Sequence, residues 1–172
     1  MKLKILFYVG LILIFHAPAY AEQPAWLKKM KQIDLMTDSY DDVVDLLGKP
    51  DDETTEKELI EVFDFDEGEM SVRFAPGECL PSSFDRSRLS GWKVPKWTVT
   101  NVSFSLDNPI DKKKLGVDFT GFRKYPVHDV RNEFIYENDE LGIRYRTKGQ
   151  SKILDISFYP ANKFDLLNCN PD

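Results

Sequence analysis

The sequence predicts an α+β fold of two tandem α-β-β-β units, with antiparallel meander sheets packed on one or two helices. The first observation is a hairpin pattern, Glu61 to Phe74, that returns 71 positions later at Asn132 to Tyr145. The second is a strand pattern, Val99 to Leu106, that returns 54 positions later at Ile153 to Pro160. Strand patterns combined with a helical pattern are typical of an α+β domain.

Apolar and polar residues alternate within each copy, as in a strand that buries one face. In the first copy Phe63 and Phe65 flank Asp64, and the stretch around Gly68 suits a short hairpin turn. We therefore expect the alternating apolar side chains to line the interior. They are Phe63, Phe65, Val72, Phe74, Val102, Phe104, Phe134, Tyr136, Ile143, Tyr145, Ile156 and Phe158.

A capped helix pattern precedes the first hairpin. Its apolar residues recur at helical spacing: Tyr40, Val43, Val44 and Leu47. Ser39 or Thr37 can cap this helix, and Gly48 followed by Pro50 ends it. In the second copy the corresponding place is Ile110 to Leu115, where a short helix can begin at Pro109.

A shorter amphipathic pattern covers residues 22 to 36. Trp26, Leu27, Met30 and Ile33 lie at helical spacing, and lysines stand between them. The pattern fits a helix docked on its own domain or a frayed end, and alternatively a helix that binds a membrane surface or a partner.

The chain begins with the three parts of a secretory signal peptide. Lys2 and Lys4 precede an apolar run, Ile5 to Phe15, which is too short for a permanent membrane span. We expect cleavage between Ala21 and Glu22 and export to the periplasm or the exterior, without stable membrane insertion. Residues 22–172 are then a single domain with an internal repeat (about 37–106 and 108–160) and an insertion at about 75–97 in the first copy.

The charge of the exported part argues against nucleic acid as a partner. Without residues 1–21 the chain keeps 21 of its 23 basic side chains and all 29 acidic ones, a net charge of −8. Proteins that bind nucleic acids or anionic membranes without sequence or lipid specificity are normally basic.

The chain contains two cysteines, Cys79 and Cys169, and both lie in the exported part. In an oxidising compartment an even number of cysteines favours a disulfide over free thiols. Such a bridge would join the C-terminus to the base of the insertion.

Two resemblances follow from these motifs. The stretch SYDDVVDLLGKPDDE resembles the opening of small envelope modules of the SmpA/BamE type, which share an α-β-β-β unit with the β-lactamase-inhibitor-protein fold; those proteins are lipidated on a cysteine that this chain lacks. Over a longer span LLGKP, FAPGEC, GWKVPKWTV and the closing Cys169 resemble a family of uncharacterised small secreted bacterial proteins. That resemblance implies no activity.

We expect no catalytic residues, metal ligands or cofactor. A Cys79, His128 and Asp129 set is disfavoured because adjacent residues rarely serve as base and orienting group, and because Cys79 is better used in a disulfide. Asp64-x-Asp66-x-Gly68 lacks the Gly and Glu positions of a calcium loop.

The insertion is the predicted contact surface, because the second copy joins its equivalent strands with a much shorter connection. Its candidate binding residues are Phe84, Arg86, Arg88, Trp92, Lys93, Lys96 and Trp97. The predicted function is an exported, non-catalytic binding module for an unknown acidic protein or an extended polymer. The alternative functions are an envelope structural or assembly factor and a small hydrolase. The alternative role of Trp92 and Trp97 is to pack under the loop as a satellite core.

Overall fold

The computed structural model describes residues 23–50, 59–81 and 89–169. Two α-helices, α1 (Ala25–Met30) and α2 (Tyr40–Leu47), precede the strands of the described part. The strands are β1 (Ile60–Phe65), β2 (Gly68–Phe74), β3 (Leu80–Pro81), β4 (Leu89–Ser90), β5 (Val99–Asp111), β6 (Arg123–Pro126), β7 (Glu133–Asn138), β8 (Ile143–Lys148) and β9 (Lys152–Phe158). Two 3-10 helices, Lys112–Leu115 and Asn162–Leu167, complete the elements.

Seven of these strands form one antiparallel sheet in the order β1-β2-β5-β9-β8-β7-β6, and β3 pairs with β4 in a separate two-stranded sheet. The prediction of two tandem α-β-β-β units is therefore wrong. The groups β1-β2-β5 and β7-β8-β9 do not form separate sheets, because their third strands, β5 and β9, pair with each other. The described part of the chain is dominated by this one seven-stranded sheet, with a few short helices.

The helix expected in the second copy is also absent from its place. β5 continues through Asp111, with Ile110 paired to Ile153, and only the 3-10 helix Lys112–Leu115 follows. Pro109 lies in the stretch where the register with β9 shifts. A proline, which has no N–H to donate, is tolerated at such an interruption of the ladder. The residues that predict a helix start at Pro109 therefore lie at an irregularity in the pairing of a long strand.

α2 forms where the sequence predicts it. The Ser39 side chain accepts a hydrogen bond from the Asp42 N–H at 3.4 Å, and the Asp42 carboxylate accepts one from the Ser39 N–H at 2.8 Å. This reciprocal capping box satisfies backbone donors that the helix start leaves without partners. Gly48, at φ 96°, ends the helix.

The core lies on one face of the sheet. A row of directly paired residues crosses six strands on that face: Phe63, Met70, Phe104, Ile156, Tyr145 and Tyr136. α1 covers the centre of the row, where the Trp26 ring stacks on Phe104 with centroids 4.0 Å apart. Toward β6 the cover is Phe119, which stacks on Tyr136 at 3.9 Å. The interpretation of α1 as a docked helix is confirmed, since its Trp26 is 0% exposed.

The predicted interior set divides into two groups. Seven of the twelve side chains are buried: Phe63, Val72, Phe74, Val102, Phe104, Tyr136 and Ile156. The other five are half-buried: Phe65, Phe134, Ile143, Tyr145 and Phe158. The alternation therefore assigned the faces correctly, while the depth of burial depends on which segments cover each part of the sheet.

Gly68 shows how closely β2 and β5 approach. At its φ of 148°, an added Cβ would lie 2.0 Å from the Ser105 carbonyl oxygen. Only glycine fits at this end of the β1-β2 hairpin.

None of the helices in the described ranges has the length and apolar character that a membrane span requires.

Candidate functional site

The second face of the sheet carries polar side chains. Neighbouring positions on a strand point to opposite faces, so the row beside the core row lies on this face. It runs through directly paired residues across six strands: Ser71, Ser103, Ser157, Arg144, Glu137 and Arg123. Hydroxyls occupy its centre, and charges occupy the half toward β6.

A groove of about 470 Å³ lies over the centre of this face. Its lining is Arg73, Trp92, Thr100, Asn101, Ser103, Arg144, Ser157, Tyr159 and Pro160. β5 and β9 supply the two serines, β2 supplies Arg73 and β8 supplies Arg144. These nine residues include two cations and no acid, in a chain with a net charge of −6. We refer to this feature as the arginine groove.

Arg73 is an exposed cation in the lining of the arginine groove. Its backbone carbonyl accepts a hydrogen bond from the Thr100 hydroxyl at 3.2 Å, which ties β2 to β5. Its guanidinium makes no ion pair within the part of the chain that the structure describes. The charge of Arg73 is therefore available to a ligand.

Arg144 is held in place from two sides. Its Nε donates to Glu137 Oε1 at 2.8 Å, and its Nη2 bonds the same oxygen. Its Cζ lies 5.4 Å from the centroid of the Tyr159 ring, within the range of a cation-π contact. The side chain is still 45% exposed. Arg144 is thus a positioned guanidinium that remains accessible.

Glu137 is the anion that organises this half of the face. Its side chain is 9% exposed and also accepts hydrogen bonds from Tyr125 Oη at 2.7 Å and Arg123 Nη2 at 3.2 Å. Burial alone would raise the pKa of Glu137, but the hydrogen bonds from Tyr125 and Arg144 and the two arginine charges outweigh it and lower the pKa. Glu137 therefore stays charged and fixes Arg144.

Tyr159 joins this network to the groove. Its hydroxyl donates to Asp139 Oδ1 at 2.9 Å, and Asp139 also pairs with Arg123. Burial and the hydrogen bond to Asp139 raise the pKa of Tyr159, so the phenol stays neutral. The ring that lines the groove is thus fixed by a bond at its far end.

Trp92 reaches the groove from the insertion, and its backbone is clamped on both sides. It forms bridges with Glu78 and with Asn168, and the neighbouring Cys79 and Cys169 form the predicted disulfide, with Cα atoms 5.5 Å apart. The disulfide prediction is confirmed. Trp92 also packs on the small buried cluster of Met36, Ala75 and Val94. Trp92 therefore packs on the satellite core and also lines the groove.

The other candidate residues of the insertion have different places. The Lys93 ammonium donates to the Leu166 carbonyl at 3.2 Å, and the Lys96 ammonium lies 5.1 Å from the Trp97 ring centroid. Trp97 packs against Tyr40 and Phe74 in the main core. The structure therefore brings Trp92 alone of these four into the groove. Phe84, Arg86 and Arg88, like the cleavage residues Ala21 and Glu22, lie outside the described residues.

The catalytic set considered from the sequence does not assemble. Cys79 is bound in the disulfide and has no thiol to act as nucleophile. His128 Nδ1 lies 2.6 Å from Asp129 Oδ2, but the imidazole is 92% exposed. No group of three or more His, Cys, Asp or Glu side chains in the described ranges is arranged to hold a metal ion.

Sequence reasoning missed most of the groove. Arg73, Asn101, Ser103, Arg144 and Ser157 occupy polar strand positions, which the alternation does not distinguish from other polar positions. A signal was present in the offsets themselves: 71 positions separate Arg73 from Arg144, and 54 separate Ser103 from Ser157. Both aligned pairs line the same groove.

Comparisons with known proteins assign no family to the chain. No protein-family model matches the chain, and no curated protein matches it. Among solved structures, the chain is similar to a DUF4309 family protein, YjgB, from Bacillus subtilis. The two share 8% sequence identity and a TM-score of 0.46, over 78% of this chain and 92% of that one.

Proposed function

We propose that the protein is an exported, non-catalytic binding module and that the arginine groove is its ligand site. The observation that carries the proposal is the lining itself: two guanidiniums, two aromatic rings and neutral hydrogen-bonding groups, without an acid. A concave site with a few convergent polar groups is the usual form of a small-ligand site. The fixed positions of Arg144, Tyr159 and Trp92 reduce the entropy lost on binding.

Two features support the non-catalytic part of the proposal. The nine lining residues offer no carboxylate, imidazole or thiol that would serve as a general base or nucleophile near neutral pH. The polar groups that surround Arg144 satisfy one another through Glu137 and Tyr125. The arrangement is suited to holding a ligand rather than transforming it.

Export is supported by the signal pattern before Glu22 and by the disulfide, which forms and persists in oxidising compartments. Intact-mass measurement of the protein recovered from the periplasm or the medium checks it. We expect a chain that begins at Glu22. A cytoplasmic protein that retains Ile5 to Phe15 would contradict export.

The binding proposal is tested by NMR with a mixed panel of sugars, amino acids, short peptides and organic anions. We expect at least one compound to shift the amides of Asn101, Ser103 and Ser157 together. The shift should be lost in Trp92→Ala and kept in Arg131→Ala, which removes an exposed side chain that does not line the groove.

If no compound moves these amides, or if the shifts persist in Trp92→Ala, the arginine groove is not the binding site. Retention of the protein in an envelope complex, with a silent groove, would instead favour the alternative of an envelope structural or assembly factor.

A further inference from the structure

We propose that the ligand of the arginine groove is an acidic oligosaccharide, in which sugar carboxylates pair with Arg73 and Arg144. This inference rests on the proposed function, because it assumes that the groove is the ligand site. It adds the chemical class of the ligand: a chain of uronic acid units.

Charge is the first argument. The lining carries two cations and no acid, although the chain as a whole has a net charge of −6. The charge of Arg144 is balanced by Glu137, whereas Arg73 makes no ion pair in the described part of the chain. A guanidinium presents a planar pair of N–H donors that matches a carboxylate. The groove thus favours an anion, and Arg73 is its main charge contact.

Span is the second argument. Arg73 lies on β2 and Arg144 on β8, and two strands, β5 and β9, lie between them. Three strand spacings correspond to about 14 Å at the usual separation of neighbouring strands. The Arg144 guanidinium is hydrogen-bonded to Glu137 on β7, on the far side of β8 from Arg73, so a ligand that contacts both guanidiniums has to extend across β5 and β9. An oligomer of two or three sugar units has the required length.

The neutral part of the lining is the third argument. Ser103 and Ser157 are directly paired across β5 and β9, so two hydroxyls stand side by side between the arginines. Hydroxyls and the Asn101 amide each donate and accept hydrogen bonds, as sugar hydroxyls do. Trp92 and Tyr159 add aromatic surface, against which the apolar C–H face of a sugar ring can pack.

A strand-like peptide fits this place less well. Peptides that add to a sheet need an edge with unpaired backbone groups. The four strands beneath the groove, β2, β5, β9 and β8, each have a neighbour on both sides. Recognition here must therefore use side chains alone, and the available side chains are guanidiniums, hydroxyls, an amide and aromatic rings.

The test is isothermal titration calorimetry of the purified protein with tri-galacturonate and tri-mannuronate, two sources of the same sugar carboxylate. Maltotriose is the neutral control of equal length, and inorganic phosphate is the control for a simple anion. We expect binding of at least one uronate trimer, weakening as salt is raised, and no binding of maltotriose. Arg73→Gln should weaken the uronate at least about tenfold, as expected for loss of a charged hydrogen bond.

Two further variants separate recognition from folding. Trp92→Ala should also weaken the uronate, while Arg131→Gln, which removes an exposed charge outside the groove, should leave affinity within about twofold. Circular dichroism checks that each variant keeps the wild-type fold.

The inference is overturned if neither uronate trimer binds, if maltotriose or phosphate binds as tightly as the uronates, if Arg73→Gln binds like wild type, or if the groove amides respond only to a peptide. The proposed function stands in these cases only if some compound shifts the groove amides and the shift is lost in Trp92→Ala; binding that neither Arg73→Gln nor Trp92→Ala weakens lies outside the groove and contradicts both proposals. If no compound binds in the groove, the inference and the proposed function are both contradicted.

Discussion

Replacing both Cys79 and Cys169 with alanine tests how the wall of the arginine groove is held. The bridge spans a sequence separation of 90, for which the simple chain-entropy model gives a loss of about 4.6 kcal/mol on its removal. Backbone hydrogen bonds from Lys93 N to Leu167 O, at 2.7 Å, and from Cys169 N to Gly91 O, at 3.1 Å, still join the two segments. We therefore expect a folded variant whose free energy of unfolding is lower by about 3 to 5 kcal/mol.

Urea unfolding of the wild type and the double variant measures the loss, and hydrogen exchange of the Lys93 amide reports whether the C-terminal segment stays attached. No residue of the Asn162–Leu167 helix is fully buried, and Phe164 and Leu167 pack partly buried against the cluster of Met36, Ala75 and Val94, so the bridge adds to a shallow anchorage of this segment. Faster exchange at Lys93 with slow exchange in β5 would show local release. A loss of unfolding free energy under about 1 kcal/mol, with unchanged exchange at Lys93, would refute the reasoning. The bridge would then neither restrict the unfolded chain nor hold the groove wall in place.

Two other predictions follow from the packing and the charges. Trp26→Ala should lower the free energy of unfolding by about 3 to 5 kcal/mol in urea titrations, because the ring is fully buried on Phe104; a loss under about 1 kcal/mol would show that α1 is not docked in solution. Glu137 has a pKa lowered from 4.5, so it contributes stability above that pH which is lost as pH falls through the lower value. The difference in unfolding free energy between wild type and Glu137→Gln should therefore shrink on acidification from about pH 6 to about pH 3, and a constant difference would contradict the assignment.

The parts of the fold that could be predicted are those with local causes. α2 follows from its apolar spacing, the Ser39 cap and Gly48, all within ten residues. The buried faces of β1 and β2 follow from alternation, because the side-chain period of a strand is two. The disulfide follows from the even number of cysteines and the oxidising compartment that the signal pattern implies.

The pairing of β5 with β9 could not be predicted in this way. Alternation states which side chains of a strand face the core but not which strand lies beside it. Both β5 and β9 satisfy their pattern equally well at the edge of a three-stranded sheet or at the centre of a larger one. β6 was missed for a related reason: its four residues are exposed or half-buried, so no alternation marks it.

The site was predicted only in part, because its residues meet through long-range pairing. The aromatic content of the insertion indicates Trp92, but it indicates Trp97 equally, and Trp97 packs in the main core. The positive charge of the insertion indicates Lys93, whose ammonium donates to the Leu166 carbonyl. Alternation places Arg73 and Arg144 at polar strand positions but does not indicate that they line one groove. Their relation exists only once β2 and β8 belong to the same sheet.

The correction to the fold and the proposed function therefore have the same physical origin. Two separate meanders would each place an arginine on a polar face, but the pairs Ser103–Ser157 and β5–β9 would not exist. Joining them sets two hydroxyls at the centre and one arginine-bearing strand on either side, about 14 Å apart by strand spacing. A ligand that contacts both arginines crosses the β5–β9 junction and binds only the merged sheet. Its binding free energy then stabilises the junction as well as the ligand complex, because anything that binds only the folded state shifts the unfolding equilibrium toward it.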